Sequence, residues 1–583
     1  MARRKNHQKF TSSRRPGGAR RFFALTLVLG IMGLLGLRAF QLQVADHNFL
    51  QGQADARSLR TITVQPMRGM ITDRNGRPLA VSAPVDSVAA DPVKLAASPT
   101  RFRELEKALG MGRGEIQKKL KRYKGKRFMW LKRQLVPEQA EKVDALNIAG
   151  VWLKRDFKRY YPFSYMASHV VGFTGTDNVG LEGLERAYDE ALRGVPGKQR
   201  VLKDMTGRII ERVENLQSGV PGENVVSSID SRLQYIASRE LYTAVKKHKA
   251  RGGSVVVLDV NTGEILAMAN EPGYNPNNRK GVSARAFQNR AVNYTYEPGS
   301  TMKTFTILSA LSDNLVNAES RIDTSPGYLQ IGRFTVHDHT NMGMLTVSLV
   351  LKKSSNVGAA KIADRLSNER MWKTLDLAGF GHAPGSGLPG ESKGRLPNYS
   401  GWKRSEKITM AYGYHIAVTP LQLARAYGVI ARGGRQFPVT ILKHEEPVDG
   451  EQVFDPKKVA QLTRMLEGVV EKGGTAPLAA VDHYQVAGKT GTAHKIKHGA
   501  YSKKDYVGSF AGFAPSSHPR LVVAVMIDEP SNGKHFGGDV AGPVFRNVMA
   551  ESLRLLNVEP EIGPDSPSIR RADVRSGGVQ HAG

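Results

Sequence analysis

Between residues 22 and 37 the chain reads FFALTLVLGIMGLLGL, a run without a charged side chain. As a helix at 1.5 Å per residue this run spans about 24 Å, and continued to residue 44 it reaches about 34 Å, enough to cross the hydrocarbon core of a bilayer. Eight basic side chains and no acid precede it in residues 1–21. That asymmetry predicts an uncleaved signal anchor over 22–44, with a cytoplasmic basic tail before it and everything after it exported. A cleaved signal peptide requires a small-x-small site close behind the apolar run. Here the chain continues RAFQLQVAD, and Ala54-Asp55-Ala56 comes too late.

Past the anchor the pattern changes period several times. TITVQPMRGMITDRNGRPLAVS (61–82) alternates about Asn75-Gly76 and predicts two strands joined by a turn. Residues 113–123 read as a basic helix. GLEGLERAYDEALRG (180–194) spaces Leu184, Ala187, Tyr188 and Leu192 on one helical face and ends at Gly194. VPGEN, ending at 224, marks a boundary. An amphipathic helix follows at 231–248, then strand, Asn-Thr-Gly turn and strand over 252–270, rich in valine and isoleucine. YQVAGKTGTA (484–493) and RLVVAVMID (520–528) read as two more strands. Strand, strand, many helices, strand, strand predicts an α+β domain over 223–558, built on a central antiparallel sheet flanked by helices. The exported stretch 45–222 is expected to form a separate, mixed α/β domain, and 559–583, rich in Pro, Gly, Ser and charge, a disordered tail.

Composition narrows the chemistry. The chain has 583 residues and no cysteine, which excludes a cysteine nucleophile, a thiolate metal site and any disulfide. Its net charge of +31 raises nucleic acid as a partner, but the excess is concentrated in residues 1–21 and in a block over 101–133 that includes KKLKRYKGKR. With the first block at the anchor and the second on the exported side of the membrane, the charge argues against a genome-binding role. The second block is read as a solvated face, with anionic lipid headgroups or an acidic partner as its candidate contacts.

EPGSTMKTF (297–305) sets Ser300 and Lys303 three residues apart. One reading is a serine capping an ordinary helix. Yet a lysine in the first turn faces the positive end of the helix dipole, and TFTILSAL behind it predicts burial. Residues i and i+3 share a helix face, and burial or a neighbouring cation makes the neutral amine accessible as a base. Two further segments complete a constellation: Ser354 and Asn356 in KKSSNVGAAKIA, and Lys489, Thr490, Gly491 and Thr492 on an apparent strand, where Gly491 is expected to admit a substrate backbone. Each has a structural explanation alone. S-x-x-K, S-x-N and K-T-G in that order make Ser300 a nucleophile.

These motifs resemble those of the class B penicillin-binding proteins. RGMITDRNGRPLA (68–80), RYYPFSYMASHVVGFTG (159–175) and GLEGLERAYDEALRG resemble the motifs of their elongated pedestal, or dimerisation-like, domain. LDVNTGEILAMANEPGYNPNN (258–278) and GYHIAVTPLQLARAY (413–427) resemble parts of their transpeptidase domain, and the likeness covers roughly residues 20–555. Its details are nearest to the septal peptidoglycan D,D-transpeptidases of Gram-negative cell division. Thr304 departs from the proline often found after the lysine. The resemblance implies that Ser300 attacks the carbonyl between two terminal D-alanines, that Lys303 takes its proton and that Ser354 relays a proton to the leaving amine. Asn356 would bind donor amides, Lys489 would orient Ser354 and help hold Lys303 neutral, and Thr490 and Thr492 would bind the donor carboxylate. Backbone N–H groups of Ser300 and Thr492 would form the oxyanion hole. No cofactor or metal is implied. The implied partners are peptidoglycan stem peptides, β-lactams, the inner membrane, the glycosyltransferase FtsW, and FtsN, FtsQ, FtsL and FtsB.

A class A β-lactamase shares the first half of this reaction, but no E-x-x-L-N lies between Asn356 and Lys489. A carboxypeptidase and a non-catalytic scaffold are the other rivals; the intact motif set argues against the scaffold. His337-Asp338-His339 resembles a metal cluster but lacks a third ligand at useful spacing, and reads as a surface turn.

Overall fold

The computed structural model describes residues 18–50, 59–203 and 209–561, except 333, 437 and 445. The first 17 residues and the expected tail from 562 onward lie outside the described residues. The chain divides into two compact units, one of residues 1–65, 86–154 and 196–220, the other of 66–85, 155–195 and 221–583.

In the first unit the apolar run forms the helix Gly18–Phe40, extended by a π-helical turn, Gln41–Ala45. Among the described residues it is the one helix long and apolar enough to cross a membrane. Strands Leu59–Val64, Gly197–Lys203 and Ile209–Gln217 form an antiparallel sheet with the second in the middle. Helices Phe102–Leu109, Glu115–Arg122 and Pro137–Ala145 and the strand Met129–Leu135 enclose a core of Leu105, Leu109, Ile116, Leu131 and Val143. The first expected strand of the 61–82 pair therefore finds its partner far along the chain. The turn at Asn75-Gly76 joins a different pair, Ile71–Thr72 with the start of Pro78–Ala90, and Asp73 accepts the N–H groups of Asn75 and Arg77 within it.

The second unit is organised by a five-stranded antiparallel sheet. Helix α1 (Ser231–Lys247) leads into β1 (Gly252–Asp259) and β2 (Ile265–Glu271). Helices α2 (Lys303–Ser312), α3 (Val347–Lys353), α4 (Asn356–Asp364) and α5 (Pro420–Ala431) follow, then β3 (Ala487–Lys497), β4 (Ala500–Ala514), β5 (Leu521–Asp528) and the closing helix α6 (Gly542–Leu555). The sheet order is β2-β1-β5-β4-β3. GGSVVVLD and LVVAVMID take inner positions because neither has a polar face to give to solvent, and every residue of both is buried. Helices α1 and α6 pack on each other and on the sheet, and α5 packs on β1, β4 and β5. This mixed α/β architecture, an antiparallel sheet flanked by helices, leaves β3 as an edge beside the Ser300 turn.

Within the same unit the stretches at 68, 159 and 185 converge on one buried ion cluster. Arg68 Nε donates to Glu185 at 2.7 Å and its Nη1 to Asp189 at 2.7 Å, while Arg159 Nε donates to the other Glu185 oxygen at 2.6 Å. Glu185 is fully buried. The cluster accounts for a departure from the expected helix over 180–194. A short strand, Gly180–Glu182, is followed by two helical pieces, Gly183–Ala187 and Asp189–Arg193, broken at Tyr188. The Gly180 N–H donates to Asp189, which also receives Arg68.

Removing one member of such a cluster strands the others' charges. Glu185→Ala is expected to cost about 3–5 kcal/mol, whereas Glu214→Ala, which breaks the exposed pair with Arg200, should cost no more than about 1 kcal/mol. Denaturant unfolding of both variants checks this; equal costs would contradict it.

Candidate active site

Residues 299–302 form a 3-10 turn, and α2 begins at Lys303. Neither helical start carries a side-chain cap: their N-caps are Pro298 and Met302. The Ser300 hydroxyl is therefore not spent on capping, and it lines a cleft of about 530 Å³. The turn is held by backbone-to-backbone packing that only glycine permits. A Cβ on Gly413 would lie 2.0 Å from the Gly299 carbonyl oxygen, and one on Gly299, at φ +60°, would lie 2.8 Å from that of Thr492. Gly491 has the same function. Its missing side chain makes room for the Pro298 carbonyl oxygen and Ser509 Oγ, each of which would stand 2.4 Å from a Cβ at this position. The close neighbour seen at this glycine is thus the segment that carries Ser300.

Lys303 and Lys489 are both fully buried, and both reach Ser354. Lys303 Nζ lies 2.6 Å from Ser354 O, 2.7 Å from Asn356 Oδ1 and 3.1 Å from Ser354 Oγ; Lys489 Nζ donates to Ser354 Oγ at 3.0 Å. Burial holds the Lys303 amine well below the usual lysine range and the Lys489 charge pushes it further down, with Asp338 opposing. Burial also lowers Lys489, to about 7. A neutral Lys303 has two protons, matched by the two nearest acceptors. Its lone pair is then left for a hydroxyl. Ser354 reaches both amines because it closes α3 in the left-handed region, φ 59° and ψ 39°, a conformation uncommon for serine outside functional turns.

The stretch 337–339 lies at the surface as expected, and the half-buried Asp338 has a task there. One of its carboxylate oxygens accepts the N–H groups of Asn356 and Val357 and the other the Ser355 hydroxyl. It thus occupies the start of α4, where a carboxylate meets unpaired N–H groups and the positive helix end. Ser355 in turn caps Gly358 N–H. His337 contributes its carbonyl oxygen, which accepts from Asn356 Nδ2 at 2.9 Å, and the His339 ring packs on Phe536. Among the described residues no group of three or more His, Asp or Glu is placed to hold a metal ion.

The edge strand β3 supplies the opposite wall. Thr490 Oγ1 receives Lys489 at 3.1 Å and pairs with Thr475 Oγ1 at 3.0 Å; Thr492 Oγ1 accepts the Gly537 N–H at 3.0 Å, which frees its proton to be donated. Beyond them His494, Tyr506, His535 and Phe536 form a stacked aromatic rim. Behind the turn, Tyr427 donates to Thr301 O at 3.0 Å and so accepts from Thr304 at 2.9 Å; the residue that departs from proline thereby has a partner. The cleft thus brings Ser300, Ser354, Asn356, Thr490 and Thr492 to one surface, with Lys303 and Lys489 bonded to Ser354 beneath it. Thr475, Tyr427 and Gly537 carry no local sequence signal that singles them out, and the histidines beside Asp338 point to a metal rather than to a helix start.

Known proteins resemble this chain over most of its length. The profile of the penicillin-binding protein transpeptidase domain matches residues 253–550, and that of the penicillin-binding protein dimerisation domain matches 63–227. The chain is 40% identical over 568 residues, 96% of its own length and 94% of the relative's, to the peptidoglycan D,D-transpeptidase FtsI of Escherichia coli K12. It is 38% identical over 549 residues to the probable peptidoglycan D,D-transpeptidase PbpC of Pseudomonas aeruginosa, covering 94% and 97% of the two chains. Among solved structures, the apo transpeptidase domain of Burkholderia pseudomallei penicillin-binding protein 3 matches at 43% identity and TM-score 0.54, over 58% of this chain and 98% of that one. Mycobacterium tuberculosis penicillin-binding protein 3, solved with aztreonam, matches at 28% identity and TM-score 0.67, over 86% and 98%.

The two lysines predict a two-sided pH dependence of penicillin acylation. The rate should rise with pH as Lys303 loses its proton, and fall as Lys489 loses the charge that holds Ser354, from about 7 upward. Lys489→Arg keeps a charge that does not titrate in this range. It should remove the alkaline limb while lowering the rate up to roughly 10²-fold through misplacement. An unchanged alkaline limb in that variant would contradict the assignment.

Proposed function

Because the chain belongs to the class B penicillin-binding proteins and is a peptidoglycan D,D-transpeptidase of the FtsI type, we propose that it cross-links stem peptides of the septal wall through an acyl-enzyme on Ser300. The observation that carries this reading is the meeting of Ser300, Ser354, Asn356, Thr490 and Thr492 in one cleft above two buried lysines. Ser300 Oγ adds to the carbonyl between two terminal D-alanines as Lys303 takes its proton. The tetrahedral oxyanion forms against the backbone N–H groups of Ser300 and Thr492. Its collapse breaks the C–N bond, and the proton returns through Ser354 to the departing D-alanine amine. An amine of a second stem peptide then attacks the ester and releases Ser300.

The remaining hydrogen bonds support the other roles. Asn356 Nδ2 donates one proton to His337 O and its Oδ1 accepts from Lys303 Nζ, which leaves one N–H for the donor amide. Thr492, with its acceptor capacity used by Gly537, donates to the donor carboxylate, and Thr490 does so beside the Lys489 charge. β-Lactams enter the same route and stop at the ester.

The helix Gly18–Phe40 with its extension to Ala45 serves as a single-pass inner-membrane anchor, with the N-terminus inside and the chain after the anchor in the periplasm. The domain boundaries that follow from this reading are a tail at 1–21, the anchor at 22–44, a pedestal at 45–222, the transpeptidase domain at 223–558 and a tail at 559–583. FtsW, which supplies nascent glycan, packs on the anchor, and FtsN, FtsQ, FtsL and FtsB act on the pedestal; no nucleic acid takes part.

Intact mass spectrometry after exposure to a penicillin tests the central step. A single stable adduct on Ser300, absent from Ser300→Ala, is expected. Destruction of the penicillin without an adduct would make the protein a hydrolase and overturn the reading.

A further inference from the structure

Residues 113–133 hold ten lysines and arginines and one acid, Glu115. In the first unit they form a single compact piece. The helix Glu115–Arg122 is tied to the strand Met129–Leu135 by Lys119, whose Nζ donates to Trp130 O at 3.0 Å and Leu131 O at 2.8 Å. Ile116 plugs the helix into the core, and Lys118, Lys121, Arg122, Lys124 and Lys126 stay on the outside. Among the described residues none of these five makes an ion pair. Such crowding of like charge is costly where it is not compensated. Lys119 itself is lowered chiefly by burial, with Glu115 opposing and Arg122 adding a smaller push downward.

The same piece carries aromatic rings. Phe128, 43% exposed, follows the basic loop and meets Trp130 edge-on at 5.1 Å and Trp152 at 6.1 Å. Arg133 and Lys154 stand over the Trp130 ring at 4.9 and 5.5 Å. Rings fixed in place with cations around them fit a partner that alternates apolar faces with negative charge. A lipid surface fits less well, because insertion needs several exposed apolar side chains. Between residues 86 and 154 the large exposed ones among the described residues are Val93, Phe128 and Val136 alone.

We propose that this basic, aromatic face of the first unit is a second binding site for peptidoglycan itself, taking the carboxylates of stem peptides on its lysines and a sugar ring against Phe128 and Trp152. The proposal rests on the transpeptidase reading for its ligand. It adds a holding site to the reacting one, so that a polymer bound at both is retained far longer than at either alone.

The test uses the full-length protein in detergent with Ser300 already acylated by penicillin, so that the catalytic cleft is filled. Wild-type protein is expected to co-sediment with purified peptidoglycan sacculi, with binding that weakens as salt rises. Lys118→Glu/Lys121→Glu/Arg122→Glu should bind at least tenfold more weakly, and Phe128→Ala several-fold more weakly, with penicillin acylation rates unchanged. Equal binding by the charge-reversed variant would overturn the proposal. So would binding to vesicles containing anionic phospholipid in place of sacculi, which would make the face a membrane contact. The acylation rate is read separately, so a failure of the transpeptidase reading is distinguishable from a failure of this site.

Discussion

Two lysines without access to water, both within hydrogen-bond reach of one serine hydroxyl, cannot both hold a proton without a large desolvation and repulsion penalty. That constraint favours a neutral amine at one of them. Lys303 is the one that yields, because it carries both the burial and the repulsion from Lys489, and its two shortest contacts are to oxygens that accept the protons of a neutral amine. Lys489 keeps a proton to a higher pH and holds Ser354 from the other side. A solvated lysine at either position would be an ordinary cation.

Most of the surrounding structure serves to keep that arrangement from relaxing. The left-handed Ser354, the Asp338 carboxylate on the first N–H groups of α4, and the glycine contacts at 299, 413 and 491 fix three segments remote in sequence at spacings that side chains would disrupt. The edge position of β3 completes the site. Its neighbour β4 occupies one side, and the Ser300 turn and cleft lie along the other.

What can be read from the sequence follows the range of the interactions. The two inner strands are legible because runs such as VVVLD and VVAVMID have one stable location, and the three catalytic motifs because each is a short local pattern with its own chemistry. Asp338 is not, since its partners stand 17 to 19 residues away and its neighbours, two histidines, suggest a turn or a metal. Gly491 shows its property, room for a close approach, but not its neighbour, because nothing local says that Pro298 lies against it. The helix expected over 180–194 breaks for a similar reason: Glu185 and Asp189 answer to Arg68, more than a hundred residues earlier, and that demand outweighs the local period.

The central claim is that Lys303 rests as a neutral amine. Neutron diffraction from crystals of the exported part, at a pD near neutrality, observes it directly. Two deuterons on Lys303 Nζ, directed at Ser354 O and Asn356 Oδ1, are predicted. Three deuterons on that nitrogen would contradict the account, because Lys303 would then have no lone pair with which to accept a proton.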